Sequence, residues 1–154
     1  MARSGPSRGV EWVTRDEIGR FHARVADLGL GHAVRVLGTL PDGEIERLYR
    51  AADAFAFPST KEGFGLAVLE AMSAGLPVVA SDLPVFREYL RPGQDAVMVP
   101  VDDAAALAAA LGTVLDDAVL AGRLRAAGRE VCARFTWARC AAEHQRIYAD
   151  LKWR

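Results

Sequence analysis

The chain has 154 residues, 51% hydrophobic and 25% charged, which is enough sequence for one ordinary core and too little for two full-sized domains. Lys and Arg number 19 against 20 Asp and Glu, so the net charge of −1 carries no footprint of a nucleic-acid binder or of charge-driven docking on anionic lipid. No apolar run approaches the ~20 residues of a membrane span, and the N-terminus has no apolar core of a signal peptide.

Seventeen of the basic residues are Arg and only two are Lys, beside 28 Ala. This fits a GC-rich coding bias that costs helices little. Cys132 and Cys140, eight apart, match neither a disulfide framework nor a zinc spacing. Two reduced thiols and a cytoplasmic setting are the expectation.

Residues 1–9 are rich in Gly, Ser, Pro and Arg and read as a loose leader, with one domain over 10–154. Thr14 with Glu17 forms a capping box for a helix whose stripe is Ile18, Phe21, Val25 and Leu28, ended by Gly29 or Gly31. Residues 34–38 are a β-rich run ended by Gly38. Asp42 is placed to cap a second helix carrying Ile45, Leu48, Tyr49 and Ala52. Residues 54–57 are an apolar run stopped by Pro58, of the kind that suits a strand buried on both faces. A helix over 66–75, a strand over 77–80, a short helix or loop over 85–90 and a strand over 96–99 follow. Helices then fill 104–151: one over 104–115 capped by Asp102 or Asp103, one over about 117–133, and one over 137–151. Alternating helices and short apolar strands predict an α/β fold, a Rossmann-like parallel sheet flanked by helices. In such sheets ligands lie outside the carboxyl ends of the strands, so the loops after Val36, Phe57 and Val79 are the places to look.

The most informative stretch runs from Pro58 to Met72. Gly63 and Gly65 flank Phe64 directly before a helix. Glycine lets backbone approach a ligand closely. A helix start, with unpaired N–H groups and the positive dipole end, suits a phosphate or pyrophosphate. Glu62 sits in the loop. Glu70 lies in an otherwise apolar helical stretch, where it either needs hydrogen-bond donors or occupies a solvated face. Sugar and ribose hydroxyls are such donors.

Phe57 to Asp82 resembles the donor-binding signature of retaining GT-B glycosyltransferases of family 4, the glycogen-synthase-like type. Glu62 and Glu70 match that family's Glu-x7-Glu spacing. The flanks agree: Pro58-Ser59 before it, Glu62-Gly63-Phe64-Gly65 within it, and Gly75-Leu76-Pro77-Val78-Val79-Ala80-Ser81 after it. The resemblance extends from about Val34 to Leu151, through Val36-Leu37-Gly38, Leu48 to Asp53 and Phe135-Thr136-Trp137. It implies the C-terminal half of a GT-B enzyme, the half that binds a nucleotide-diphosphate sugar. Glu62 is then the catalytic residue, facing hydroxyls of the donor sugar. Backbone of Gly63, Phe64, Gly65 and Leu66 holds the sugar and diphosphate, Glu70 takes the ribose, and Val36, Leu37 and Gly38 border the base. Hexose transfer with retention and without a bound metal is the implied chemistry. The resemblance also brings an N-terminal acceptor-binding half as partner, and is compatible with peripheral membrane association of the complete enzyme.

The pattern is incomplete. The Arg and Lys that clamp the diphosphate in that family come from a first βα unit of which this chain has no convincing copy. Lys61, Arg87 and Arg91 are the nearby cations, each more readily read as a surface residue. His22, His32 and His144 show no metal spacing. The expectation is therefore no transfer and weak or absent donor binding by this chain alone. A non-catalytic nucleotide-binding or interaction subunit that pairs with a separate acceptor chain is the alternative; a sugar-nucleotide epimerase is disfavoured by Glu-x7-Glu. Phe135, Trp137, Tyr148 and Trp153 either pack on this domain or face a partner, and an apolar patch left exposed favours self-association.

Overall fold

The computed structural model describes residues 15–151. The leader at 1–9, the Thr14 cap, Trp12 and Trp153 fall outside them. The chain divides into two compact units between Leu40 and Pro41, and each is taken by itself.

In the first unit, helix α1 spans Arg15–Asp27. It closes at Gly29, where Leu30 N–H bonds the Val25 carbonyl and Gly29 N–H bonds that of Ala26, the pairing that satisfies a helix's last carbonyls. Its expected apolar stripe forms, with Ile18, Phe21 and Leu28 about half exposed within this structure. Residues 34–38 depart from expectation: they are not a strand. A strand exists only by pairing, and no described strand bonds to this run. The bonds at its start are local, from the N–H groups of Ala33 and Val34 to the Leu30 carbonyl.

The second unit contains α2 (Asp42–Ala51), β1 (Phe55–Phe57), α3 (Leu66–Ser73), β2 (Val78–Ser81), α4 (Pro84–Arg87), β3 (Val97–Val99), α5 (Ala104–Asp116), α6 (Ala118–Ala133) and α7 (Trp137–Asp150). The three strands form a parallel sheet in the order β1-β2-β3. Phe55, Ala56 and Phe57 pair with Val78, Val79 and Ala80; Val79, Ala80 and Ser81 pair with Val97, Met98 and Val99. The central strand is buried on both faces, as its unbroken apolar sequence requires. β1 is not: Ala56 is exposed and Phe55 and Phe57 are half-buried, because among the described strands β1 has a partner on one side only.

Alternation along β2 sorts the core into two layers. Val78 and Ala80 join Val68, Met72, Phe86 and Val131 on one face; Val79 joins Val99, Val114 and Leu124 on the other. Burial of Phe86 alone is worth about 1.5–3 kcal/mol. α3 lies against α6 at Gly128, where a Cβ would stand 3.1 Å from Met72 Cγ, so the absent side chain sets how closely the helices approach. Asp103 caps α5 through Ala106 N–H, Asp117 caps α6 through Val119 and Leu120, and Thr136 caps α7 through Arg139. Asp42 does not cap α2. Pro41 holds that position, since its carbonyl accepts from both Glu44 and Ile45 N–H, and Asp42 enters the first turn, where its charge suits the dipole.

The 91–95 turn is held by an ion pair. Asp95, 1% exposed, accepts from Arg91 N–H at 2.8 Å, Nε at 3.0 Å and Nη2 at 2.7 Å. Burial would raise the Asp95 carboxyl; the Arg91 guanidinium and N–H outweigh it and hold the group below the usual carboxylate range. A folded-state value below the unfolded one stabilises the fold above the unfolded value of ~3.9, and that stability is lost as pH falls through the folded value. Arg91→Met should destabilise the fold at neutral pH, though less than breaking a fully buried pair would, because the Arg head meets solvent while Asp95 is buried. In the variant Asp95 is a buried carboxyl with one backbone donor and protonates more readily. Urea melts should therefore show the gap from wild type closing below pH ~4; a gap independent of pH would contradict this.

Candidate functional site

The site is built on the segment that leaves the carboxyl end of β1 and enters α3. Ser59 Oγ donates to the Lys61 carbonyl at 2.9 Å and tightens the turn. Glu62 is half-buried, and its Oε1 accepts from Gly63 N–H at 2.9 Å and Phe64 N–H at 3.4 Å. The loop thus already gathers two successive N–H groups around one anionic oxygen. Gly65 is the N-cap of α3 in a left-handed conformation, φ 86° and ψ 50°. It has no side chain to close the helix start, which leaves the N-terminal amides for another acceptor. A Cβ there would fall on Phe86 Cε1 and lie 3.3 Å from the Tyr89 hydroxyl. The helix ends just as tightly: Gly75 at φ 86° lets Leu76 N–H reach the Ala71 carbonyl.

Glu70 lies one turn into α3, exposed rather than buried, which decides between the two settings the sequence leaves open. Among the described residues it has one donor: the Tyr49 hydroxyl reaches Glu70 Oε2 at 3.3 Å. Tyr49 comes from α2, with its ring edge-on to Phe55 at 5.6 Å. Partial burial and the Glu70 charge both raise the Tyr49 pKa, so the phenol stays protonated and donating. Between α2 and α3 lies a cavity of about 420 Å³, lined by Asp42, Ile45, Glu46, Tyr49, Glu70 and Ser73. That is a small-ligand volume whose polar groups are the carboxylates, the Tyr49 and Ser73 hydroxyls and the Arg50 guanidinium, the last paired with Glu46. On the other side of Glu70 an apolar groove of about 670 Å³ runs between Phe64, Leu66, Leu69, Phe135 and Trp137.

The expected residues Glu62, Gly63, Phe64, Gly65, Leu66 and Glu70 therefore fall on one continuous loop and helix start. Val36, Leu37 and Gly38 belong to the first unit, where Val36 and Leu37 are half exposed. Arg87 is ion-paired with Asp82 and Arg91 with Asp95, so both are committed within the fold. Cys132 and Cys140 are free thiols. Among the described residues, no group of three or more His, Cys, Asp and Glu could hold a metal ion, and no single helix is long and apolar enough to cross a membrane. Three residues escaped the sequence reading of the site: Tyr49 beneath Glu70, and Phe86 and Tyr89 behind the loop. Tyr49 carried a signal, as the one polar-tipped ring on the α2 stripe. Phe86 and Tyr89 carried none that was local, since they lie more than 20 residues beyond the loop they touch.

A parallel sheet flanked by helices, with this glycine loop opening one of them, matches the GT-B architecture of solved glycosyltransferases. The chain belongs to the glycosyl transferases group 1 family, whose model matches residues 16–131. It is 43% identical over 121 residues to the phosphatidyl-myo-inositol mannosyltransferase of Mycobacterium leprae, a match covering 78% of this chain and 32% of that protein. The chain thus spans about a third of the length of such curated relatives. Among solved structures, sucrose-phosphate synthase of Thermosynechococcus elongatus is 34% identical with TM-score 0.78, over 87% of this chain and 34% of that one. Anabaena HepE in complex with UDP-glucose is 26% identical with TM-score 0.83, over 91% of this chain and 38% of that one.

Proposed function

We propose that this chain binds the donor of a retaining hexosyltransferase, a nucleotide-diphosphate sugar, with the diphosphate at the start of α3. One observation carries the reading: Glu62 and Glu70 flank the Gly63–Gly65 turn, whose N–H groups already converge on an anionic oxygen. The UDP-glucose complex of the similar HepE chain supports the same ligand class.

In this reading Glu62 releases the N–H groups to the donor and turns to the hydroxyls of its sugar. The loop and helix amides take up charge that develops on the leaving diphosphate, the electrostatic work such a site performs. Glu70, set by Tyr49, accepts from the ribose hydroxyls, and the cavity beside it takes the nucleoside. No metal ion is called for, since the N–H groups replace its charge. The acceptor belongs to a partner half or partner chain. A second reading, a nucleotide-binding subunit that docks a separate chain, is favoured by the apolar groove whose wall carries Trp137 at 90% exposure.

Titration of the chain with UDP- and GDP-sugars, with and without EDTA, tests the proposal. Weak but saturable uptake of at least one donor, unchanged by EDTA, is expected, weak because the family's Arg and Lys clamp has no match here. Indifference to every nucleotide sugar, or uptake only with added divalent metal, would overturn it.

A further inference from the structure

We infer that Tyr89 is a positioning residue of the donor site, one that fixes the peptide between Phe64 and Gly65 through its hydroxyl. The inference rests on the nucleotide-sugar reading of that loop.

Tyr89 follows α4 and is itself firmly held. Its N–H bonds the Phe86 carbonyl at 3.1 Å, and its carbonyl accepts from Arg134 Nη2 at 2.7 Å, at the end of α6. The ring is 9% exposed. It stacks on Phe64 at 5.4 Å and meets Phe135 and Phe86 edge-on at 5.4 and 6.2 Å. From this fixed base the hydroxyl donates to the Phe64 carbonyl at 2.8 Å. A trans peptide is planar, so holding the Phe64 carbonyl toward Tyr89 turns the Gly65 N–H the opposite way. The two preceding N–H groups are those that meet Glu62 Oε1. Tyr89 thereby sets the third N–H of the series, from a part of the chain outside the Glu-x7-Glu segment. Burial, and then the Glu62 charge, push the phenol pKa up to about 12, so the donor persists at any physiological pH.

The bond also relates Tyr89 to Gly65. The hydroxyl occupies the space beside the Gly65 Cα, and with Phe86 it forms the wall that admits only glycine. Ring stacking alone would place Phe64 without fixing the tilt of its carbonyl. The hydroxyl is therefore the atom to remove.

Tyr89→Phe keeps the ring and deletes the donor. Amide exchange in the full chain reads the loop directly, with the β2 amides of Val78 to Ser81 as the report on global stability. Exchange at Gly63 and Phe64, whose N–H groups bond Glu62, should quicken about tenfold while β2 is unchanged, and affinity for UDP should fall by a similar factor. Unchanged loop exchange overturns the inference, and so does a quickened loop with unaltered UDP affinity. A wild-type chain that ignores UDP and GDP alike while the variant's loop still opens marks the failure of the nucleotide-sugar reading instead. In that case Tyr89 holds a loop with a different task.

Discussion

Gly65→Ala should abolish donor binding and destabilise the fold together. The residue sits at φ 86°, where a Cβ costs about 1 kcal/mol or more in backbone strain. Its Cβ would also meet Phe86, which is fully buried and packed against Phe57 and Tyr89 and so has nowhere to swing. Overpacking of that kind costs typically about 1–3 kcal/mol, for a total near 2–4. Either the ring is displaced into the core or the loop lifts, and lifting it breaks the Tyr89 bond to Phe64. Thermal melts should show a lowered midpoint, and calorimetry with UDP should show no uptake where wild type binds. A variant of wild-type stability and affinity would mean that the glycine turn is incidental.

Glu70→Ala should separate binding from folding. The carboxylate is exposed, and its one bond among the described residues, from Tyr49, is long at 3.3 Å, so the melt should move by no more than about 0.5 kcal/mol. A hydrogen bond to a charged group is worth about 1.5–3 kcal/mol, so loss of the ribose contact should weaken UDP binding roughly ten- to a hundredfold. Glu70→Gln, which keeps an acceptor without the charge, should fall between. Equal affinity in all three proteins would remove Glu70 from the site.

Much of this was legible in the sequence because it is local. The loop and helix from Pro58 to Gly75 follow from glycine placement and apolar spacing, and the central strand from an unbroken apolar run. Asp103 took the capping role that the sequence offered to Asp102 or Asp103, because a short side chain reaching its own helix start needs no distant partner. The departures are the non-local terms. Val34 to Gly38 has strand composition, yet composition cannot supply the neighbour that makes a strand. Phe55 to Phe57 was apolar enough for a buried strand, while its place at the sheet edge was set by pairing order. Asp42 lost the cap to Pro41 by one residue of backbone register.

The candidate site divides the same way. Its carboxylates and glycines announce themselves by spacing. Their supports do not: Tyr49, Phe86 and Tyr89 reach the segment from α2 and from the stretch after β2. The ion pairs of Arg87 and Arg91 likewise show that cations near such a loop can already be paired within the fold.

The central claim is that Gly63 to Leu66 and Glu70 form a nucleotide-sugar site. Residue-resolved amide NMR during titrations with UDP- and GDP-sugars tests it most directly. The claim predicts saturable shifts at Gly63, Phe64, Gly65, Leu66 and Glu70, with Tyr49 responding through Glu70. Absence of any response at millimolar donor, or shifts confined to residues away from this loop and helix, would contradict it.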